Sequence, residues 1–90
     1  MFEKEYDMVK REIEIGKEQG LKSKTAAIFV QKASLYKSSI LIEKGERKAN
    51  GKSMLGLLSL VIEKGEKINL TIDGFDEDRA IKELEEFLKS

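Results

Sequence analysis

The sequence predicts an α+β sandwich, a single antiparallel sheet with its helices on one face. Three observations carry the prediction. The apolar period switches along the chain between two residues and about 3.6, giving the order β-α-β-β-α-β-α. Two neighbouring strand segments are joined by a short glycine turn, which suits a hairpin and hence antiparallel pairing. Ninety residues support one modest core and not two. No proline, linker or low-complexity stretch interrupts the run, and no boundary appears beyond a short N-terminal arm.

Residues 1–8 read as that arm, with Phe2 and Tyr6 four apart on a possible helical turn; residues 9–90 read as the domain. VKREIEI alternates as a half-buried strand, with Val9, Ile13 and Ile15 on one side, although Arg11 shares that side. GKEQG is a loop. From Ser23 the period becomes helical and Ala26, Phe29, Val30 and Ala33 fall on one face. SSILIEKGERKANGKS reads as the hairpin: Ile40 and Ile42 point inward, Gly45 turns the chain, and Arg47 to Asn50 return as a polar edge strand. SMLGLLSLVIEKGE is a short apolar helix closed by a turn at Gly65. EKGE occurs at 43–46 and again at 63–66, as repeated turn chemistry rather than a repeat architecture. KINLTID alternates through Ile68, Leu70 and Ile72. The last segment is a helix with Asp76 as its N-cap, Glu77 and Asp78 at the positive dipole end, and a stripe of Ala80, Ile81, Leu84, Phe87 and Leu88.

Composition excludes several functions. Seventeen basic residues balance seventeen acidic ones, so no overall field draws nucleic acid or an anionic membrane. There is no cysteine, hence no disulfide framework and no thiolate. There is also no histidine, which removes the commonest general base and metal ligand. No carboxylate cluster suggests a metal instead. No apolar stretch approaches the roughly 18 residues of a membrane span, and MFEKEYDMVKRE is too charged for a secretory signal. A cytoplasmic protein without metal or cofactor is expected.

Few positions carry chemistry. Lys22, Ser23 and Lys24 at the start of the first helix offer a small-anion site through the helix dipole and two charges; a solvated charged loop is the alternative. Ser53 is placed as the N-cap of the second helix. That helix is apolar nearly all round, with Leu57, Leu60 and Val61 on one face and Met54, Leu55 and Leu58 on another. One face alone can meet the sheet, so Met54, Leu55 and Leu58 are expected to be partly exposed, as at a partner site. On the first helix Lys24, Ala27, an exposed Ile28 and Gln31 should face outward. DGFDED lacks the spacing of a calcium loop. GKS lacks the upstream glycine of a phosphate-binding loop.

As a set, the helix with AAIFVQKAS, the segment NGKSMLGLLSL and the entry DGFDEDRAI resemble HPr, the small phosphocarrier of the bacterial sugar phosphotransferase system. The likeness runs ungapped from about Arg11 to Leu88. It implies an open-faced four-stranded antiparallel sheet with three helices on one side, in agreement with the order read above. Phosphocarriers open the first helix with Gly-(Ile/Leu)-His-Ala-Arg-Pro, whose histidine takes a phosphoryl group from phosphoenolpyruvate via enzyme I. Here the string is GLKSKT. Lys22 occupies the histidine position, Lys24 the arginine position and Thr25 the proline position. Imidazole has a free lone pair near neutral pH; a lysine of unperturbed pKa about 10.4 does not. With no histidine, the chain cannot be a phosphohistidine carrier.

A second family motif is intact. In many Gram-positive bacteria the ATP-dependent HPr kinase/phosphorylase modifies a serine at the start of the second helix, which Ser53 matches. Crh, the catabolite-repression HPr, keeps that serine and lacks the histidine, and this chain is similar to it. Crh-type proteins carry glutamine at the histidine position and retain the arginine; both positions are lysine here. The resemblance implies docking of the kinase and of a catabolite control protein A-type transcriptional regulator on Lys24, Ala27, Ile28, Gln31, Met54, Leu55 and Leu58. Lys24 would serve as a point charge without the two-pronged geometry of arginine. The implied function is regulatory and non-enzymatic. Its rivals are a decoy that binds enzyme I or a permease, the anion-binding module, and an interaction module that has lost both phosphorylations. Exchange of the arm and first strand between protomers would give a homodimer.

Overall fold

Ile13, Ile40, Ile42, Ile68, Leu70 and Ile72 face the same side of one sheet, because each stands opposite another or two residues along from it. In the computed structural model, which describes residues 8–90, the strands are β1 (Val9–Glu14), β2 (Ser39–Lys44), β3 (Arg47–Asn50) and β4 (Lys67–Asp73). They pair antiparallel in the order β1-β4-β2-β3. Ile13 pairs with Ile68, and Ile72 lies between Val9 and Ile40. Leu70 lies between Arg11 and Ile42. Arg11 is tolerated on this side because β1 is an edge strand. Its stem covers the rim and its guanidinium reaches Glu85, at 3.7 Å. The alternate positions, Lys10, Thr71, Leu41 and Asn50 in one row and Glu12, Asn69, Glu43 and Lys48 in the next, form the open face. Phe2 and Tyr6 lie outside the described residues.

The helices are α1 (Ser23–Ala33), α2 (Met54–Ser59) and α3 (Glu77–Lys89). They cover the apolar face, α3 over β1 and β4, α2 against β3, and α1 between its two neighbours. Ala26, Phe29, Ala33, Ala80, Ile81, Leu84 and Leu88 are buried with the sheet isoleucines. The predicted stripes hold, except at their margins. Val30 and Phe87 are half-buried. The Phe87 ring packs against Phe29 at 6.5 Å and lies beneath the Lys17 ammonium, 4.0 Å from its centroid. It closes the rim with its polar neighbour outward.

Two local expectations are corrected. Asp76 stands at the N-cap of α3, yet its side chain makes no capping bond. It accepts hydrogen bonds from the backbone N–H groups of Lys37 and Ser38 and from the Ser38 hydroxyl. Buried Glu77 reaches back instead and accepts from the Gly74 N–H. Val61 was expected on a helical face with Leu57 and Leu60, but α2 ends at Ser59. Val61 lies beyond it at φ +52° and is 50% exposed.

Cations from the hairpin satisfy the carbonyls there. Lys44 donates to Val61 O at 2.6 Å, and Arg47 donates to Ser59 O at 2.6 Å. A β-branched residue in the left-handed region is strained. Val61→Gly is therefore expected to raise stability by about 1 kcal/mol, read as a higher urea midpoint at unchanged slope.

Candidate functional site

A glycine brings the start of α1 against the end of α2. Gly20 has φ +68°, and a Cβ there would stand 2.3 Å from Ile62 O. That close approach lets Leu21 N–H donate to Ile62 O at 2.9 Å. Thr25 then ties the turn: its hydroxyl donates to Gly20 O at 2.6 Å and accepts from the Lys22 N–H at 3.1 Å. Lys22 thus takes the N-cap position without capping through its side chain, because an ammonium has no lone pair to accept an N–H. Its charge points toward Glu63, at 3.8 Å between Nζ and Oε2. A second pair, Lys64 with Glu18 at 3.0 Å, closes the same two loops. Ser23 follows at φ +40°. Lys24 is exposed, with no ion pair among the described residues.

Ser53 lies at the other end of this layer. Its Oγ accepts from Gly56 N–H at 3.1 Å, the N-cap bond expected of serine. Its own N–H donates to Asn50 O at 3.0 Å. The hydroxyl is half-buried. Lys52 does not lie over it, for the ammonium donates to Tyr36 O at 2.7 Å, across to the end of α1. Since Leu21 meets Ile62 and Tyr36 meets Lys52, α1 and α2 run in opposite directions. Lys22 and Ser53 therefore stand at opposite ends.

Between those ends lie the other candidates. Lys24, Ala27 and Gln31 face solvent on α1. Ile28 is half-buried rather than exposed, on a helix that packs against both α2 and α3. On α2, Leu55 is 82% exposed and Leu58 37%, while Met54 packs partly against the core. The result is a small apolar surface of Leu55 and Leu58 reaching from Ser53 toward Val61.

Sequence reasoning missed a polar cluster at the C-terminal end of α1. Glu83 of α3 accepts from the Tyr36 hydroxyl and from Lys32 Nζ, the latter at 3.0 Å. The tyrosine bond, then the lysine, hold its carboxyl below the usual range, and the same bond pushes the Tyr36 phenol up. Partners 47 residues apart leave no local signal. No group of three or more histidine, cysteine, aspartate or glutamate residues able to hold a metal occurs among the described residues. No helix there is long and apolar enough to cross a membrane.

The family model described as the PTS HPr component phosphorylation site matches residues 9–90. The chain belongs to the HPr family. It is a Crh-like member. Over 82 residues it is 42% identical to the HPr-like protein Crh of Halalkalibacterium halodurans, covering 91% of this chain and 98% of that one. Its structure is similar to the phosphocarrier HPr of Bacillus anthracis at TM-score 0.88 and 34% identity, over 90% of this chain and 96% of that one. It is also similar to Crh of Bacillus subtilis, described as a swapped, intertwined dimer, at TM-score 0.73 and 35% identity. That match covers 86% of this chain and 88% of the other.

Proposed function

We propose that this HPr-family protein regulates the phosphoenolpyruvate-dependent sugar phosphotransferase system and carries no phosphoryl group on histidine. In this reading HPr kinase/phosphorylase modifies Ser53, and the modified protein binds a catabolite control protein A-type regulator in carbon catabolite control. The protein itself catalyses nothing and needs no cofactor.

The observation that carries the reading is the Ser53 hydroxyl at the first turn of α2, beside exposed Leu55 and Leu58. Phosphate adds a charge of roughly −1.5 to −2 where backbone N–H groups and the helix dipole receive it. Lys24, Ala27, Ile28 and Gln31 of α1 extend the docking surface, with Met54 at its inner margin. The anion-site alternative at Lys22, Ser23 and Lys24 draws less support, because Glu63 already faces one of its two cations. Dimerisation by exchange of the arm and first strand is compatible with the place of β1 at the sheet edge, where β4 is its one strand neighbour among the described residues.

Incubation with HPr kinase and ATP should add one phosphoryl group, mapped to Ser53 and absent from Ser53→Ala. Enzyme I with phosphoenolpyruvate should add none, and native mass spectrometry of the same sample reports the dimer. No incorporation under conditions that modify an ordinary HPr would sink the regulatory reading and leave a decoy or a bare interaction module.

A further inference from the structure

We propose that Asn50 is a spontaneous modification site, converted to aspartate and isoaspartate at a rate gated by opening of the β3–α2 corner. Asn50 is the last residue of β3, exposed on a four-residue edge strand, and glycine follows it. Glycine offers the least shielded backbone nitrogen for attack on a preceding asparagine side chain. Packing demands it here: a Cβ on Gly51 would stand 2.5 Å from Ile40 Cγ2. The neighbouring turn demands asparagine or aspartate, since Asn50 Oδ1 accepts from the Lys52 N–H at 2.8 Å, the bond that turns the chain into α2. Two separate structural needs thus set the most labile dipeptide at this corner, with Asn50 exposed and Gly51 buried.

The chemistry consumes one water and releases one ammonia. The Gly51 nitrogen loses its proton and bonds to Asn50 Cγ. The side-chain amide nitrogen leaves as ammonia, and a five-membered succinimide forms. Water opens the ring at Cγ to give aspartate, or at the main-chain carbonyl to give isoaspartate. In the closed corner both reacting groups are restrained. Gly51 N–H donates to Ile40 O at 2.7 Å, which holds the proton that must be lost, and Lys52 holds the amide. A short edge strand opens at low cost, so opening sets the rate. The two products differ in consequence. Aspartate keeps an acceptor for the Lys52 N–H. Isoaspartate adds a methylene to the main chain and breaks the register that gives Gly51 to Ile40 and Ser53 N–H to Asn50 O.

The test needs no assignment for Ser53. The full chain is held at mildly alkaline pH, folded and in urea above its midpoint, then cut after glutamate to isolate residues 47–63. The expected result is exchange of NH2 for OH at Asn50, detected as isoaspartate by methyltransferase labelling. It should be slower by about tenfold or more in the folded chain, the factor that a local opening free energy above 1.4 kcal/mol imposes. Asn69, inside β4 and followed by leucine, should persist throughout. Asn50→Asp should melt near the parent, and the isoaspartate fraction should melt lower. Absence of product at Asn50 in the unfolded chain, equal rates folded and unfolded, or conversion of Asn69 as fast as Asn50 would overturn the proposal.

Discussion

Gly20→Ala is expected to cost about 3 kcal/mol of stability, the sum of a left-handed backbone and a backbone clash. The clash has nowhere to go. The new methyl would stand 2.3 Å from Ile62 O and 2.8 Å from Glu63 Cα, both main-chain atoms. Relief requires the 17–22 and 61–66 loops to separate, which stretches the Leu21–Ile62 bond and the Lys22–Glu63 and Lys64–Glu18 pairs together. Gly45 supplies the control. It has φ +62°, and a Cβ added there would meet nothing within 4 Å, so Gly45→Ala should cost only about 1 kcal/mol of backbone strain. Urea titration of both variants separates the two contributions. Equal losses would show that the loops yield freely, and the end of α2 would then not be fixed by its contact with α1. The same variant should raise amide exchange at Leu21 while leaving the Gly56 N–H bond to Ser53 protected.

The sequence revealed what repeats at short range. Ile68, Leu70 and Ile72 alternate without exception, and the strand follows from that alone. Ser53 was legible as a cap, since the bond to Gly56 spans three residues. The failures share one cause. Asp76 looked like a cap because a helix follows it, yet its donors come from the α1–β2 loop, 38 and 39 residues away. Tyr36 and Glu83 meet for the same kind of reason. Val61 misled in another way. Its apolar side chain continued a helical pattern after the backbone had left the helix, and burial of Leu60 and Ile62 on either side outweighed its own conformational preference. Arg11 appeared as a defect in β1 until the edge position and Glu85 gave its charge an exit. At the candidate site the cap at Ser53 and the exposure of Lys24, Gln31 and Leu55 were readable, but Lys22 facing Glu63, and Lys52 tethered to Tyr36 rather than lying over Ser53, were not.

Asp76→Ala should cost about 2–3 kcal/mol at neutral pH, as expected when a carboxylate accepting several hydrogen bonds is lost. It should also change the shape of the stability curve in acid. Burial opposes ionisation of Asp76, but the Ser38 hydroxyl and the N–H groups of Lys37 and Ser38 outweigh it and hold the carboxyl below the usual range. A folded-state pKa below the unfolded one means that the unfolded chain takes up protons first. The stabilisation is therefore complete above the unfolded value of about 3.9 and is lost as pH falls through the folded value. Glu83 follows the same sign through Tyr36 and Lys32. Tyr36 carries the opposite one: its raised pKa gives stability below the unfolded value of about 10 that is lost as pH rises through the folded value. Between those limbs lies no histidine or cysteine, so stability should be nearly level from about pH 5 to 9. Urea midpoints across pH for the parent and Asp76→Ala check this. The two curves should converge in acid, where Asp76 is protonated and its advantage is gone. Parallel acid limbs would mean that the α1–β2 loop is not held by this carboxylate, and that Ser38 is buried for another reason.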